Sequence, residues 1–163
     1  MSNDARVDHA SIIVGCDPQT TFEAFSDPDA LVRWLPPTGA TGAIDTFDFR
    51  PGGAFRMTLT FADQGLAGEG KTTADTDRVE AEFGTIDPPR AIEWKVSFVS
   101  DDPAFAGLMT MIWTFQPDGT GTRVDVAAHD VPPGIDPLVH VRGLHSSLDN
   151  LFAYLEARAV QAD

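Results

Sequence analysis

Cysteine is nearly absent from this chain of 163 residues, which contains only Cys16. One thiol cannot form an internal disulfide, and a domain of this length can fold around a hydrophobic core without one. Long apolar runs are also missing. No stretch approaches the roughly 20 apolar residues of a membrane-spanning helix, and residues 1–4 carry no apolar core of a signal peptide. We therefore expect a cytoplasmic protein with no membrane insertion.

Basic residues are scarce. The chain has 11 Lys and Arg residues against 25 Asp and Glu residues, which gives a net charge of −14. A field of this sign repels phosphate backbones and anionic lipid head groups. The composition therefore argues against binding to nucleic acid or to a membrane surface.

Signatures of common catalytic sites are missing as well. The sequence contains no nucleophile elbow, phosphate-binding loop, paired zinc cysteines or dinucleotide fingerprint. His140 and His145 are five positions apart, which places them on different faces of a helix and disfavours a two-histidine metal site. We expect no catalytic residue set, no metal and no cofactor.

The strongest pattern that is present covers residues 136–159. Apolar residues recur there at spacings of three and four, which places them on one face of an amphipathic helix. Asp136 followed by Pro137 is a typical helix start, because the carboxylate accepts from free amides and proline has no amide to satisfy. The predicted apolar face consists of Val141, Leu144, Leu148, Leu151, Phe152 and Leu155.

Most of the chain before this helix alternates between apolar and polar residues, which is typical of strands. Two short helices are predicted after the first strand, opened by Asp17-Pro18 and by Asp27-Pro28. Neither an amphipathic helix nor a sheet with one apolar face can bury that face alone. We therefore predict an α+β fold, in which a curved antiparallel sheet of about six or seven strands wraps around the long helix. The whole chain, residues 1–163, is expected to form a single domain.

Two strands have less regular patterns. A strand is predicted over residues 45–49, because Phe47 and Phe49 alternate with polar residues. A longer one is predicted over residues 71–86, which are polar at first and then place apolar residues on one face. A glycine-containing loop over residues 63–70 is predicted between this strand and the preceding one.

The inward-facing strand positions carry unusually large side chains. They either fill the interior or surround an apolar cavity, and periodicity alone leaves both readings open. Native interiors are usually close-packed, which favours plain core for most of these residues, whereas methionine adapts to irregular shapes and to ligands. The residues are Phe47, Phe49, Phe55, Met57, Trp94, Phe98, Met109, Met111 and Trp113.

Four local motifs follow one another along the chain. They are TFEAFSDP at residues 21–28 with Trp34 after it, DFRPGG at 48–53, IDPPR at 86–90 before Trp94, and DGTGTRV at 118–124. Together with the order of the predicted elements, they resemble the family named for the activator of the heat-shock-protein-90 ATPase, within the START-like (SRPBCC) superfamily. Each motif is common by itself, and the series in this order covers nearly the whole chain.

The resemblance implies the helix-grip fold, with a deep and mainly apolar pocket between the sheet and the long C-terminal helix. Relatives include lipid carriers, aromatic polyketide cyclases and a co-chaperone domain, so fold and function are loosely tied. We expect binding of a hydrophobic small molecule without an established reaction. A cyclase- or dehydratase-like enzyme on the same pocket is the first alternative, and a co-chaperone acting on the heat-shock-protein-90 ATPase is the second. The charge of −14 argues against a chaperone partner, and a homodimer stays open.

The expected pocket lining combines the large inward rows with residues of the flanking helices. His145 is the polar handle of choice, because it flanks the predicted apolar face of the last helix, and Arg142 lies beside that face. A histidine in that position is more often a core-edge residue bonded to a backbone carbonyl. The lining residues are Trp34, Phe47, Phe49, Phe55, Met57, Trp94, Phe98, Met109, Met111, Trp113, Val141, His145 and Leu148.

Overall fold

A computed structural model describes residues 6–61 and 76–161 of the chain. The described residues form seven strands and three α-helices, together with a short 3₁₀ turn at Pro103–Phe105. In chain order the elements are β1 (Val7–Val14), α1 (Pro18–Ser26), α2 (Pro28–Trp34), β2 (Ala40–Phe47), β3 (Ala54–Phe61), β4 (Thr76–Asp87), β5 (Ala91–Phe98), β6 (Met109–Asp118), β7 (Gly121–His129) and α3 (Pro137–Gln161).

The seven strands of the described residues form one antiparallel sheet in the order β1-β7-β6-β5-β4-β3-β2. Strands β2 to β7 therefore follow one another as a meander, and β1 joins the far edge by pairing with β7. The backbone of α3 runs close to β1 and to α2. This arrangement confirms the predicted sheet, the two short helices after the first strand and the long helix at the end.

Each of the three helices begins at an aspartate followed by proline. The Asp17 carboxylate accepts from the Thr20 amide at 2.7 Å, and Asp27 accepts from the Asp29 amide at 2.9 Å. Asp136 accepts from the amides of Leu138 and Val139 at 2.8 and 3.1 Å. These bonds satisfy amides of the first turn that have no partner within the helix. The sequence signal for all three helix starts is thus confirmed.

The prediction for the second strand was wrong in its bounds. Strand β2 covers Ala40–Phe47, begins five residues earlier than expected and has an irregularity between Ile44 and Thr46. Its first half is made of small residues with little alternation, so pairing with β3 rather than its own pattern defines it. Phe49 lies beyond the strand, in the turn that leads to β3. The predicted loop at 63–70 and the predicted strand residues 71–75 lie outside the described residues.

The core contains a cluster of aromatic rings from α1, α2 and β6. The ring of Phe25 lies 4.6 Å from that of Trp34 and 4.9 Å from those of Trp113 and Phe115, measured between ring centroids. Leu148, Leu151 and Leu155 of α3 are fully buried in the same hydrophobic core. The C-terminal half of α3 therefore covers solid core, whereas its N-terminal half covers the cavity described below.

No helix of the described residues is long and apolar enough to cross a membrane.

Candidate functional site

A cavity of about 360 Å³ lies between the N-terminal half of α3 and the inner faces of β3, β4, β5 and β6. Alternation along each strand puts every second side chain on this inner face. Its apolar lining from the sheet consists of Phe55, Met57, Leu59, Phe61, Val79, Ala81, Trp94, Val96, Phe98, Met109 and Met111. Leu35, Pro37, Ile135, Val139 and Leu144 close the helix side.

The wall between α2 and α3 is fixed by three hydrogen bonds. The Ser146 hydroxyl accepts from the Thr38 amide at 2.9 Å, and the Ser147 hydroxyl donates to the Leu35 carbonyl at 2.6 Å. The Asn150 side chain donates to the Pro36 carbonyl at 3.0 Å. Most of the polar atoms on this wall are therefore engaged with the backbone of the segment after α2, and they hold the helix at the cavity rim.

A charged cluster meets the cavity at the start of α3. His140 lines the cavity, and its Nδ1 lies 2.6 Å from Oδ2 of Asp8 on β1. Arg6 donates through Nε to Oδ1 and through Nη2 to Oδ2 of the same carboxylate, at 2.9 and 2.8 Å. Asp8 is 4% exposed and His140 is 14% exposed, so this cluster is largely removed from water. The imidazole ring is thereby held in one orientation at the edge of an apolar space.

The Asp8 carboxyl is the ionised member of this cluster. Burial alone would raise its pKa, but the hydrogen bonds from Arg6 and His140 and their positive charges lower the pKa below its ordinary value. The carboxylate therefore acts as an acceptor at neutral pH. An acceptor at this distance requires that Nδ1 of His140 carries the proton.

Two further charged residues belong to the lining. Asp77 is 3% exposed and shares the inner face of β4 with Val79 and Ala81, while Arg142 on α3 is exposed at the rim. The cavity thus has an apolar strand wall that includes the buried carboxyl group of Asp77, and its other polar side chains come from α3 and the segment after α2.

Six of the thirteen residues predicted from the sequence line this cavity, and all six come from the strands. They are Phe55, Met57, Trp94, Phe98, Met109 and Met111. Seven lie outside its lining: Trp34, Phe47, Phe49, Trp113, Val141, His145 and Leu148.

Most of the displaced residues belong to the solid core. Trp34 and Trp113 are fully buried against each other, with centroids 5.9 Å apart, and the Trp34 indole donates to the Ala24 carbonyl at 3.0 Å. Phe47 and Phe49 stack at 6.0 Å, and Phe49 also lies 6.0 Å from Phe22, which connects both rings to the aromatic cluster of the core. Leu148 is fully buried in α3 and does not line the cavity. The sequence pattern thus identifies these large residues as inward-facing, but the structure packs them in the core rather than at the cavity.

His145 is an error of helical phase. Its side chain is exposed, and Val141 is only half-buried. The buried positions of α3 are Leu144, Ser147, Leu148, Leu151 and Leu155, and His140 precedes Leu144 by four. This spacing could have identified His140, and Asp8 alternates with the buried Ala10 and Val14 of β1. The sequence pattern therefore places both Asp8 and His140 on inward faces, but it does not show that the two side chains contact each other.

Solved structures with this fold come from several bacteria. A protein from Chromobacterium violaceum is 25% identical, with a TM-score of 0.78 over 90% of this chain and 94% of its own. The AHSA1 protein from Silicibacter pomeroyi is 21% identical, with a TM-score of 0.73 over 94% of this chain and 99% of its own. DynU16, described as belonging to the dynemicin biosynthetic locus, is 18% identical, with a TM-score of 0.63 over 92% of this chain and 47% of its own. These likenesses show the helix-grip fold.

Among curated proteins none matches this sequence. A model of the family described as Activator of Hsp90 ATPase homolog 1-like protein matches residues 16–156, from the end of β1 to the last turns of α3. The match spans nearly every described element and includes the strands and the helix that surround the cavity. The chain belongs to the Activator of Hsp90 ATPase homolog 1-like protein family.

Proposed function

We propose that this protein binds a hydrophobic small molecule in the cavity between α3 and strands β3 to β6. The observation that carries the proposal is the cavity itself, with a volume of about 360 Å³ and an almost wholly apolar strand wall. Ligand sites in proteins usually occupy about 300–1,000 Å³ and are lined mainly by apolar and aromatic groups with a few polar ones. Both the size and the chemistry of this cavity fall within that class.

The energetics of packing support the same proposal. Protein interiors are close-packed, and unfilled space costs roughly 24 cal/mol per Å³ in core-truncation series. The side chains around a cavity of about 360 Å³ therefore lack packing partners on the side that faces it. A bound apolar molecule supplies those partners, whereas a purely structural core would gain by closing the space.

The lining also favours adaptability. Three of the four methionines of the chain, Met57, Met109 and Met111, border the cavity. Methionine is flexible and polarisable, and it packs against ligands of different shapes. We infer that the site accepts a class of apolar or aromatic molecules of similar size.

The proposal is tested by titration with N-phenyl-1-naphthylamine, whose emission rises on transfer to an apolar site. We expect saturable binding at one site per chain. Met111→Trp should abolish binding by filling the cavity, while Phe152→Trp adds the same side chain at an exposed position of α3 and should leave binding unchanged. Equal binding by wild type and Met111→Trp would contradict the proposal, provided that circular dichroism shows both to be folded.

A second candidate is a cyclase- or dehydratase-like enzyme on the same cavity. It is favoured by the shared fold with DynU16 of the dynemicin biosynthetic locus and by the paired Asp8 and His140 at the rim. The test is incubation with a reactive poly-β-ketone, with ring-closed products followed by mass spectrometry. Ring closure no faster than with the heat-denatured protein would eliminate this candidate.

A co-chaperone role is the third reading, and the family name is its support. It is measured directly by the rate of ATP hydrolysis of heat shock protein 90 with and without this chain. We expect no stimulation, because the net charge of −14 gives the surface a strongly one-signed field.

A further inference from the structure

Arg142 places a positive charge at the rim of the cavity. The residue lies on α3, belongs to the cavity lining and is exposed to solvent. An arginine side chain has an apolar stem that packs along apolar surface and a charged end that stays in water. Arg142 therefore connects the apolar chamber to the solvent outside it.

The charge of Arg142 is not neutralised by any of the residues that the structure describes. None of them forms an ion pair or a side-chain hydrogen bond with its guanidinium group. The positions three and four residues away along the helix are Leu138, Val139, His145 and Ser146, so no carboxylate occupies the spacing at which helix side chains pair. This is unusual in a chain with 25 acidic and 11 basic residues, and it leaves the guanidinium group free to bind an anion.

Most other polar side chains of the lining already have partners within the protein. The hydroxyl groups of Ser146 and Ser147 bond to the backbone of the segment after α2. His140 is bonded to the carboxylate of β1, and both His140 and Asp77 have further interactions within the chain. Within the described part of the lining, Arg142 is thus the charged side chain that a ligand can bind without displacing another contact.

We propose that Arg142 is the anion-binding residue of the cavity, and that the natural ligand is an amphiphile with one carboxylate. Its apolar part occupies the chamber, and its carboxylate binds the guanidinium group at the rim. This inference rests on the proposed binding function and names the ligand class of that site.

Three arguments select a single carboxylate at the rim. The guanidinium group presents parallel N–H donors that match the two oxygens of a carboxylate. The net charge of −14 repels anions at long range, so one local cation suits one negative charge better than two. A carboxylate at the rim also stays in contact with water, whereas a charge inside the apolar chamber would lose its hydration.

The experiment measures how decanoate and 1-decanol displace N-phenyl-1-naphthylamine from the protein at about pH 7.5, where the decanoate carboxyl group is ionised. The two ligands have the same chain of ten carbons and differ in the head group. The measured quantity is the ratio of their dissociation constants, because contributions that both ligands share cancel in it.

Three variants locate the effect. Arg142→Gln removes the charge and should shift the ratio about three- to tenfold against decanoate. Arg142→Lys keeps the charge and should retain most of the wild-type preference. Arg33→Gln removes an exposed arginine of α2 that lies outside the lining, so it changes the net charge equally and should leave the ratio unchanged. Added salt should weaken the decanoate preference in wild type but not in Arg142→Gln, because salt screens an exposed ion pair.

The outcomes separate this inference from the binding function. If N-phenyl-1-naphthylamine does not bind wild type, the binding function fails and this inference fails with it. If the dye binds but decanoate does not displace it, the cavity binds ligands and the carboxylate class is wrong. A wild-type ratio in Arg142→Gln, or an equal shift in Arg33→Gln, would overturn the assignment to Arg142. We expect a shift confined to Arg142→Gln, with the affinity for 1-decanol kept.

Discussion

Asp8 and His140 are 132 positions apart in the chain, and a hydrogen bond of 2.6 Å joins the carboxylate of one to the imidazole of the other. The bond connects the first strand to the first turns of the last helix at the edge of the cavity. Asp8→Asn would leave the side chains of Arg6 and His140 facing a weaker, uncharged acceptor. We expect the free energy of unfolding to fall by about 1–3 kcal/mol at pH 7, measured by urea denaturation.

The same variant should show how the stability depends on pH. Burial raises the pKa of Asp8, but hydrogen bonds from Arg6 and His140 bring it below the ordinary value of 3.8. A group with a lowered pKa stabilises the folded state above its unfolded pKa, and this contribution is lost as the pH falls through the folded pKa. The loss of stability in Asp8→Asn relative to wild type should therefore shrink as the pH falls below about pH 4.

A matched exposed pair serves as the control for both measurements. Asp87 and Arg90 form an ion pair at 3.2 Å with 45% and 75% of their side chains exposed. Asp87→Asn should change the free energy of unfolding much less than Asp8→Asn does, because exposed ion pairs contribute little. A loss as large as that in Asp8→Asn would show that burial is not the reason for the difference.

Leu148→Ala should destabilise the protein by about 2–5 kcal/mol, as is usual when a well-packed aliphatic side chain is removed. Leu148 is fully buried in α3 beyond the cavity, so no existing space absorbs the lost volume. Phe152→Ala, at a position that is 40% exposed in the same helix, is the control and should cost less. A urea midpoint and slope equal to those of wild type would show that Leu148 is peripheral.

Gly143→Ala should stabilise the protein by about 0.5–1 kcal/mol, because alanine has the higher helix propensity. Gly143 lies within α3 at the cavity, and a Cβ atom there would meet no atom within 4 Å. In Gly121→Ala the new Cβ would collide with the Val14 carbonyl oxygen where β7 meets β1, so this substitution should instead destabilise. Thermal unfolding of both variants checks the opposite signs.

Trp94 should report ligand binding through its emission. It borders the cavity, whereas Trp34 and Trp113 lie in the solid core. Binding of an apolar quencher should therefore reduce tryptophan fluorescence in wild type and in Trp34→Phe, and the response should be mostly lost in Trp94→Phe. A full response in Trp94→Phe would place the bound molecule away from strand β5.

The sequence determined most elements of this fold, because their signals are local. Alternation in β3, β5, β6 and β7 and the spacing of Leu144, Leu148 and Leu151 in α3 each depend on neighbouring residues only. The three Asp-Pro pairs identify the helix starts for the same reason. Strand β2 was harder to place, since an edge strand of small residues is defined by its pairing with β3.

Only the tertiary structure decided which inward residues face a cavity and which are packed solid. Periodicity reports the face of an element but not how far the opposite element lies from it. Trp94 and Trp113 both face inward on adjacent strands, Trp94 opposite Met111 and Trp113 opposite Ile92. Of the two only Trp94 borders the cavity, because α3 lies over that part of the sheet without filling the space beneath it. The Asp8–His140 pair likewise exists because β1 joins the sheet beside β7, where the start of α3 meets it. A contact across 132 positions depends on the assembled sheet, which no local pattern encodes.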